Sequence, residues 1–140
     1  MYKVSGGCHC GNLFVEAQLT RAPESYNPRA CDCDFCRKHG AAYVSDPQGS
    51  LSIVIRDEQR AARYRQGSGT AELLRCRDCG VVVGALYQGE EGLHGVVNAQ
   101  AIEAGTGFGA PQPVSPRMLS APEKVRRWQE IWFPNVSVRS

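Results

Sequence analysis

Apolar residues recur at every second position in two stretches of the chain. Leu13, Val15, Ala17 and Leu19 alternate with Phe14, Glu16 and Gln18, and Leu51, Ile53 and Ile55 repeat the pattern later. A period of two places one set of side chains on one face of a strand, so both stretches are predicted strands. Val81 to Tyr87 and Leu93 to Asn98 flank Gly89-Glu90-Glu91-Gly92 and read as a hairpin. A second hairpin is expected where Gly67-Ser68-Gly69 separates Ala62-Arg63-Tyr64-Arg65 from Glu72-Leu73-Leu74-Arg75. Ala41 to Ser45 reads as a short strand ended by Asp46-Pro47-Gln48-Gly49, whose residue types suit a reverse turn. The centre of the molecule is therefore expected to be antiparallel β.

The period changes near the end of the chain. Ser120-Ala121-Pro122-Glu123 has the form of a capping box with proline in the first turn, and Val125, Trp128, Ile131 and Trp132 follow at helical spacing until Pro134. This predicts one amphipathic helix over 120–133 whose tryptophans pack on the sheet. The connections are less patterned. Residues 20–30 carry Pro23, Asn27 and Pro28 and read as a loop, 57–63 fit either a helical turn or an exposed connection, and 99–118 reads as a long flexible flap rich in Gly and Pro. The glycines near Gly105 lack the strand and helix that would make them a phosphate-binding loop. The 140 residues suit one domain, with a core over 2–102, a loop over 103–119 and the helix after it.

The seven cysteines fall into clusters that change this picture from a plain β domain to a metal-binding one. Cys8-His9-Cys10-Gly11 and Cys76-Arg77-Asp78-Cys79-Gly80 look like the halves of one four-thiolate tetrahedral site, with Gly11 and Gly80 free to take the positive φ that curls a backbone round an ion. Cys31-Asp32-Cys33-Asp34-Phe35-Cys36 offers three further sulfurs from one short loop, with the last pair meeting across a tight turn. Four protein ligands usually make a structural zinc, whereas three leave a position for water or a substrate atom.

Charge then excludes one class of partner. The formal charge of +2 counts every thiol as neutral; seven thiolates and two zinc ions bring it to about −1. No basic tail or aromatic-basic interleaving is present, so no nucleic-acid partner is expected. No apolar run is long enough for a membrane span, and Met1-Tyr2-Lys3-Val4-Ser5 lacks a signal-peptide core, so the expected compartment is the cytoplasm. Reduced thiols there also favour metal over disulfides. Arg37, Lys38, Arg75 and Arg77 flank the clusters and offset thiolate charge.

The order Gly6-Gly7-Cys8-His9-Cys10-Gly11, then Cys31-Asp32-Cys33-Asp34-Phe35-Cys36-Arg37-Lys38, then Cys76-Arg77-Asp78-Cys79-Gly80 resembles the glutathione-dependent formaldehyde-activating enzyme family, which also includes centromere protein V. The resemblance spans about Tyr2 to Ile102. It implies a mainly β, β-tent fold of antiparallel sheets with zinc knuckles, a structural zinc on Cys8, Cys10, Cys76 and Cys79, and a second zinc on Cys31, Cys33 and Cys36, whose occupancy need not be complete. It further implies a carbon–sulfur lyase in which the open zinc serves catalysis and glutathione adds to formaldehyde. From their own position beside the three cysteines, Arg37 and Lys38 are the cations expected to attract the carboxylates of glutathione. The alternative class is a non-catalytic zinc-stabilised binding module. His39 stands where many members have a longer spacing before the next glycine, and its ligation would close the second site as three cysteines and one histidine.

Overall fold

The computed structural model describes residues 1–140 as two β-sheets, a short helix and a C-terminal helix. The strands are β1 (Tyr2–Gly7), β2 (Leu13–Leu19), β3 (Arg29–Cys31), β4 (Ala42–Val44), β5 (Ser50–Ile55), β6 (Ala61–Arg65), β7 (Glu72–Cys76), β8 (Val82–Gly89), β9 (Gly92–Asn98), β10 (Gln112–Val114) and β11 (Ser137–Arg139). The helices are α1 (Asp34–His39) and α2 (Ala121–Ile131). A four-stranded sheet runs β1-β2-β5-β11 and a seven-stranded sheet runs β10-β3-β4-β9-β8-β7-β6. Most neighbours are antiparallel, as expected; the exceptions are β10 on β3 and β11 on β5, both parallel and both at sheet edges.

The alternation in the sequence corresponds to burial. Along β2, Leu13, Val15, Ala17 and Leu19 are buried, and on β5 the register sets Val15 opposite Ile53 and Leu13 opposite Ile55. These side chains meet Leu74, Val83 and Val97 of the larger sheet in one core, with Phe133 wholly enclosed among them. The other face of the larger sheet carries a second cluster in which Leu73, Ala85 and Val96 receive Trp128 and Trp132 of the C-terminal helix region. Trp128 stacks on Trp132 with ring centroids 4.8 Å apart, and Tyr87 tilts against Trp128 at 5.3 Å. Because β8 is covered on both faces, it reads as a continuous apolar run rather than an alternating one. The predicted helix is present with its full capping box: Ser120 Oγ accepts from the Glu123 amide at 3.3 Å, and the Glu123 carboxylate accepts from the Ser120 amide at 2.8 Å.

Three connections differ from expectation. The 20–30 loop contains a 3-10 turn at Pro23–Ser25 and gives way to strand already at Arg29. The undecided 57–63 stretch is a 3-10 turn at Glu58–Arg60 capped by Asp57, followed by β6. The 99–118 segment is not a free flap. It is laced to the molecule by the Gly6 to Ile102 bridge, by the Gly109 amide donating to the Tyr26 carbonyl at 2.8 Å, and by β10. Its polar, Gly-rich composition hides these links because they are backbone bonds to distant residues. Gly6 is required at that bridge, since a Cβ there would overlap the Ala101 carbonyl.

Asp46 fastens the loop before β3 to the turn before β5. Its Oδ2 accepts from the Tyr26 hydroxyl at 2.5 Å and from the Thr20 hydroxyl and amide at 2.6 and 2.9 Å, and its Oδ1 accepts from the Gln48 amide at 2.9 Å. Burial alone would raise the carboxyl pKa, but these donors outweigh it and hold Asp46 at about 2.

Candidate metal centres and the adjoining cavity

Cys8 and Cys10 lie in the connection leaving β1, while Cys76 ends β7 and Cys79 lies in the turn before β8. Their four sulfurs all fall within 4.8 Å of one another. Cys10 Sγ is 3.4 Å from Cys76 Sγ and 3.7 Å from Cys8 Sγ. Sulfurs arranged tetrahedrally at a usual Zn–S distance of ~2.3 Å lie about 3.8 Å apart, so the thiols already stand at metal-ligand spacing. Gly11 and Gly80 adopt φ of 87° and 83°, the left-handed turns expected at these positions. Backbone amides support the cluster: Leu13 donates to Cys8 Sγ at 3.2 Å and Cys79 to Cys76 Sγ at 3.4 Å. Arg60, paired with Asp78, reaches Cys10 Sγ at 3.8 Å. Burial pushes the Cys8 thiol up to about 11. Cys79 also meets a burial penalty, but amides of Val81 and Cys10 bring it down to about 6. Thiols that divide in this way cannot all ionise without a cation among them, and this donor set fits one.

The second cluster is built differently from the tight turn that its spacing suggests. Cys31 is the last residue of β3, Cys33 is the N-cap of α1, and Cys36 sits in the first turn of that helix, its amide donating to Cys33 Sγ at 3.4 Å. Gly40, at φ 62°, terminates α1. The three sulfurs lie within 4.8 Å of one another, and no fourth His, Cys, Asp or Glu ligand atom joins them. The Cys36 thiol lies 3.1 Å from the Tyr43 hydroxyl, and Gln66 Nε2 is 3.8 Å from Cys33 Sγ. Hydrogen bonding from Cys36 brings Cys31 down to about 6, and the same pairing, together with burial, pushes Cys36 far up. Burial, aided by Cys36, likewise keeps the Tyr43 hydroxyl protonated.

His39 stands outside this cluster. It is exposed and packs on the Phe35 ring at 4.5 Å, and Phe35 in turn stacks on Tyr64 at 5.2 Å. His9 is exposed, and His94 is buried in β9 with an unpartnered Nδ1; neither joins a thiol set.

The two centres differ in what surrounds them. All three cysteines of the second cluster line a cavity whose remaining wall combines apolar side chains with Arg29, Arg117, Lys124 and Arg127. None of the first four cysteines reaches it, and no acidic residue lines it. Arg37 and Lys38, the cations expected to meet a ligand, are exposed on α1 and do not line the cavity; Arg37 pairs with Asp34 at 3.6 Å. Arg117 is paired with Asp32 at 3.2 Å. Arg29 donates to Ser45 Oγ at 2.6 Å, and burial, with the positive charge of Arg127, lowers its pKa to about 10. Arg29 carried no motif in the sequence. Lys124 and Arg127 carried none either; the available signal was their placement with Trp128 on one face of the predicted helix, three and four residues apart.

The model of the glutathione-dependent formaldehyde-activating enzyme family matches residues 3–118, which include both cysteine clusters. The chain belongs to this family. Membership ties the protein to glutathione and formaldehyde chemistry. A search of curated proteins found no significant match. Among solved structures, the chain is similar to the crystal structure of a Rhodobacter sphaeroides protein, at 29% identity and a TM-score of 0.55 over 71% of this chain and 88% of the other. The family match stops just before α2, which supplies Lys124, Arg127 and Trp128 to the cavity of this family member. No helix is long and apolar enough to cross a membrane.

Proposed function

We propose that the protein is a zinc-dependent carbon–sulfur lyase-type enzyme that joins glutathione and formaldehyde as S-hydroxymethylglutathione. The observation that carries this reading is the asymmetry between the clusters: four thiols form a closed set away from the cavity, and three form an incomplete set within its wall. Cys8, Cys10, Cys76 and Cys79 would hold a structural zinc, and Cys31, Cys33 and Cys36 a second zinc with room for an incoming ligand. Zinc bound there supplies a positive charge that favours the thiolate form of a substrate at neutral pH.

The chain's own residues do the rest. Leu73, Ala85, Val96 and Trp128 give the cavity an apolar wall that limits water near the reacting atoms. The Tyr43 hydroxyl, kept protonated by burial, hydrogen-bonds Cys36 Sγ and fixes that ligand's orientation. In the reaction a carbon–sulfur bond forms between the thiolate and the aldehyde carbon, and the carbonyl oxygen takes up the proton that the thiol gave up.

Cobalt substitution with glutathione titration tests the reading. Glutathione should alter the thiolate charge-transfer and d-d bands of wild type and His39→Ala but not of Cys33→Ser, and wild type should accelerate adduct formation over the spontaneous rate. A wild-type centre that ignores glutathione, or a rate equal to the spontaneous one, overturns the enzyme assignment. A spectral response gained only in His39→Ala would make the histidine the fourth ligand.

A further inference from the structure

Four cations line the cavity and no carboxylate does. Only Arg117 has an acidic partner, the Asp32 carboxylate at 3.2 Å. Arg29, Lys124 and Arg127 form no ion pair within the chain. Arg29 is positioned by its bond to Ser45, whose hydroxyl in turn donates to the Ile131 carbonyl at 2.6 Å and so links β3 to the end of α2. Arg29 and Arg127 line the same cavity, where their like charges repel each other, and such an arrangement is stabilised by a bound anion. A planar fork suits a carboxylate in particular.

We infer that Arg29 and Arg127, with Lys124 beside them, form a carboxylate-binding subsite that selects acidic thiols for the adjacent three-cysteine centre. The inference rests on the proposed function for the identity of that centre, but the anion subsite is separately observable. Arg127 and Lys124 lie on α2, beyond the segment that defines the family, so this tail determines which thiol is accepted. Arg127 is a specificity residue here, not a ligand of the metal centre.

A competing role for Arg127 is to balance the negative charge of the thiolates, and the two roles separate by ligand. S-methylglutathione keeps both carboxylates and has no free thiol, whereas 2-mercaptoethanol has a thiol and no carboxylate. Calorimetry on the zinc-loaded protein should show S-methylglutathione binding weakened roughly 10–100-fold in Arg127→Met, the usual cost of losing a charge-assisted carboxylate contact. Arg127→Lys should fall between wild type and Arg127→Met, and it carries the test if Arg127→Met loses its zinc. The response of the cobalt-substituted centre to 2-mercaptoethanol should be the same in wild type and Arg127→Met. Equal S-methylglutathione affinity in all three proteins, no binding by wild type, or an equal loss for both ligands overturns the subsite. Should S-methylglutathione bind through Arg127 while the cobalt centre ignores every thiol, the subsite stands and the enzyme assignment falls.

Discussion

Cys10 Sγ and Cys76 Sγ lie 3.4 Å apart although 66 residues separate them in sequence. The contact joins the connection after β1, in the smaller sheet, to the end of β7, in the larger one. A metal at this point would cross-link the two sheets, whereas one on Cys31, Cys33 and Cys36 would tie together only a strand end and the helix that follows it. Closing long loops removes more unfolded-chain entropy than closing short ones. Cys76→Ser should therefore lower the melting temperature by ~10 °C or more, equivalent to a loss of about 3 kcal/mol. Cys33→Ser should mainly reduce the bound zinc count and leave the melt nearly unchanged. Melts and metal analysis on both variants check this, and equal destabilisation would remove the distinction.

Asp46 predicts a pH dependence. Its folded pKa of about 2 lies below the ordinary 3.8, so its contribution is fully present above pH 3.8 and is lost as pH falls toward 2. The difference corresponds to ~2 kcal/mol at neutral pH. Asp46→Asn should be less stable than wild type by that order in urea unfolding at pH 7. The gap should hold down to about pH 5 and narrow below pH 4; metal release affects both proteins and cancels in the comparison. A gap that widens on acidification would contradict the sign.

The capping box of α2 links stability to recognition. Ser120→Ala removes the acceptor for the Glu123 amide, at a cost of about 1 kcal/mol, and loosens the first turn, which carries Lys124. The melting temperature should fall by about 3 °C with zinc content unchanged, and S-methylglutathione should bind more weakly. Unaltered binding in a protein that is measurably destabilised would detach the cavity from the helix terminus.

The sequence disclosed elements whose cause is local. The alternation from Leu13 to Leu19 is legible because one face of β2 is buried, and Ser120 and Glu123 announce α2 because the cap is made within four residues. Both thiol sets were legible from spacing and ligand chemistry. The short strands β3, β10 and β11 were not, since their three residues carry polar or proline positions rather than an apolar run like that of β4 and they exist by pairing with distant backbone. Asp34 to His39 concealed α1 because only Cys36 of its six residues is buried. The anion subsite was hidden for a further reason: Arg29 and Arg127 come from opposite ends of the chain, and the charge next to the cysteines drew attention to Arg37 and Lys38, which face solvent.

The last strand has a mechanical consequence. Beyond α2, Phe133 exchanges backbone bonds with Gly95 at 2.9 and 3.0 Å, the Val136 amide donates to the Leu93 carbonyl at 2.8 Å, and β11 enters the smaller sheet. Before α2, β10 is fixed to β3. The helix is thus moored at both ends, and a moored helix cannot swing aside like a hinged door. The β6–β7 tip also lines the cavity through Gln66, Gly67 and Ser68, with Gly67 and Gly69 in left-handed turns and Gly67 close to Lys124. The wall that carries Lys124, Arg127 and Trp128 is therefore in place before a ligand arrives, and a thiol must fit it as it stands.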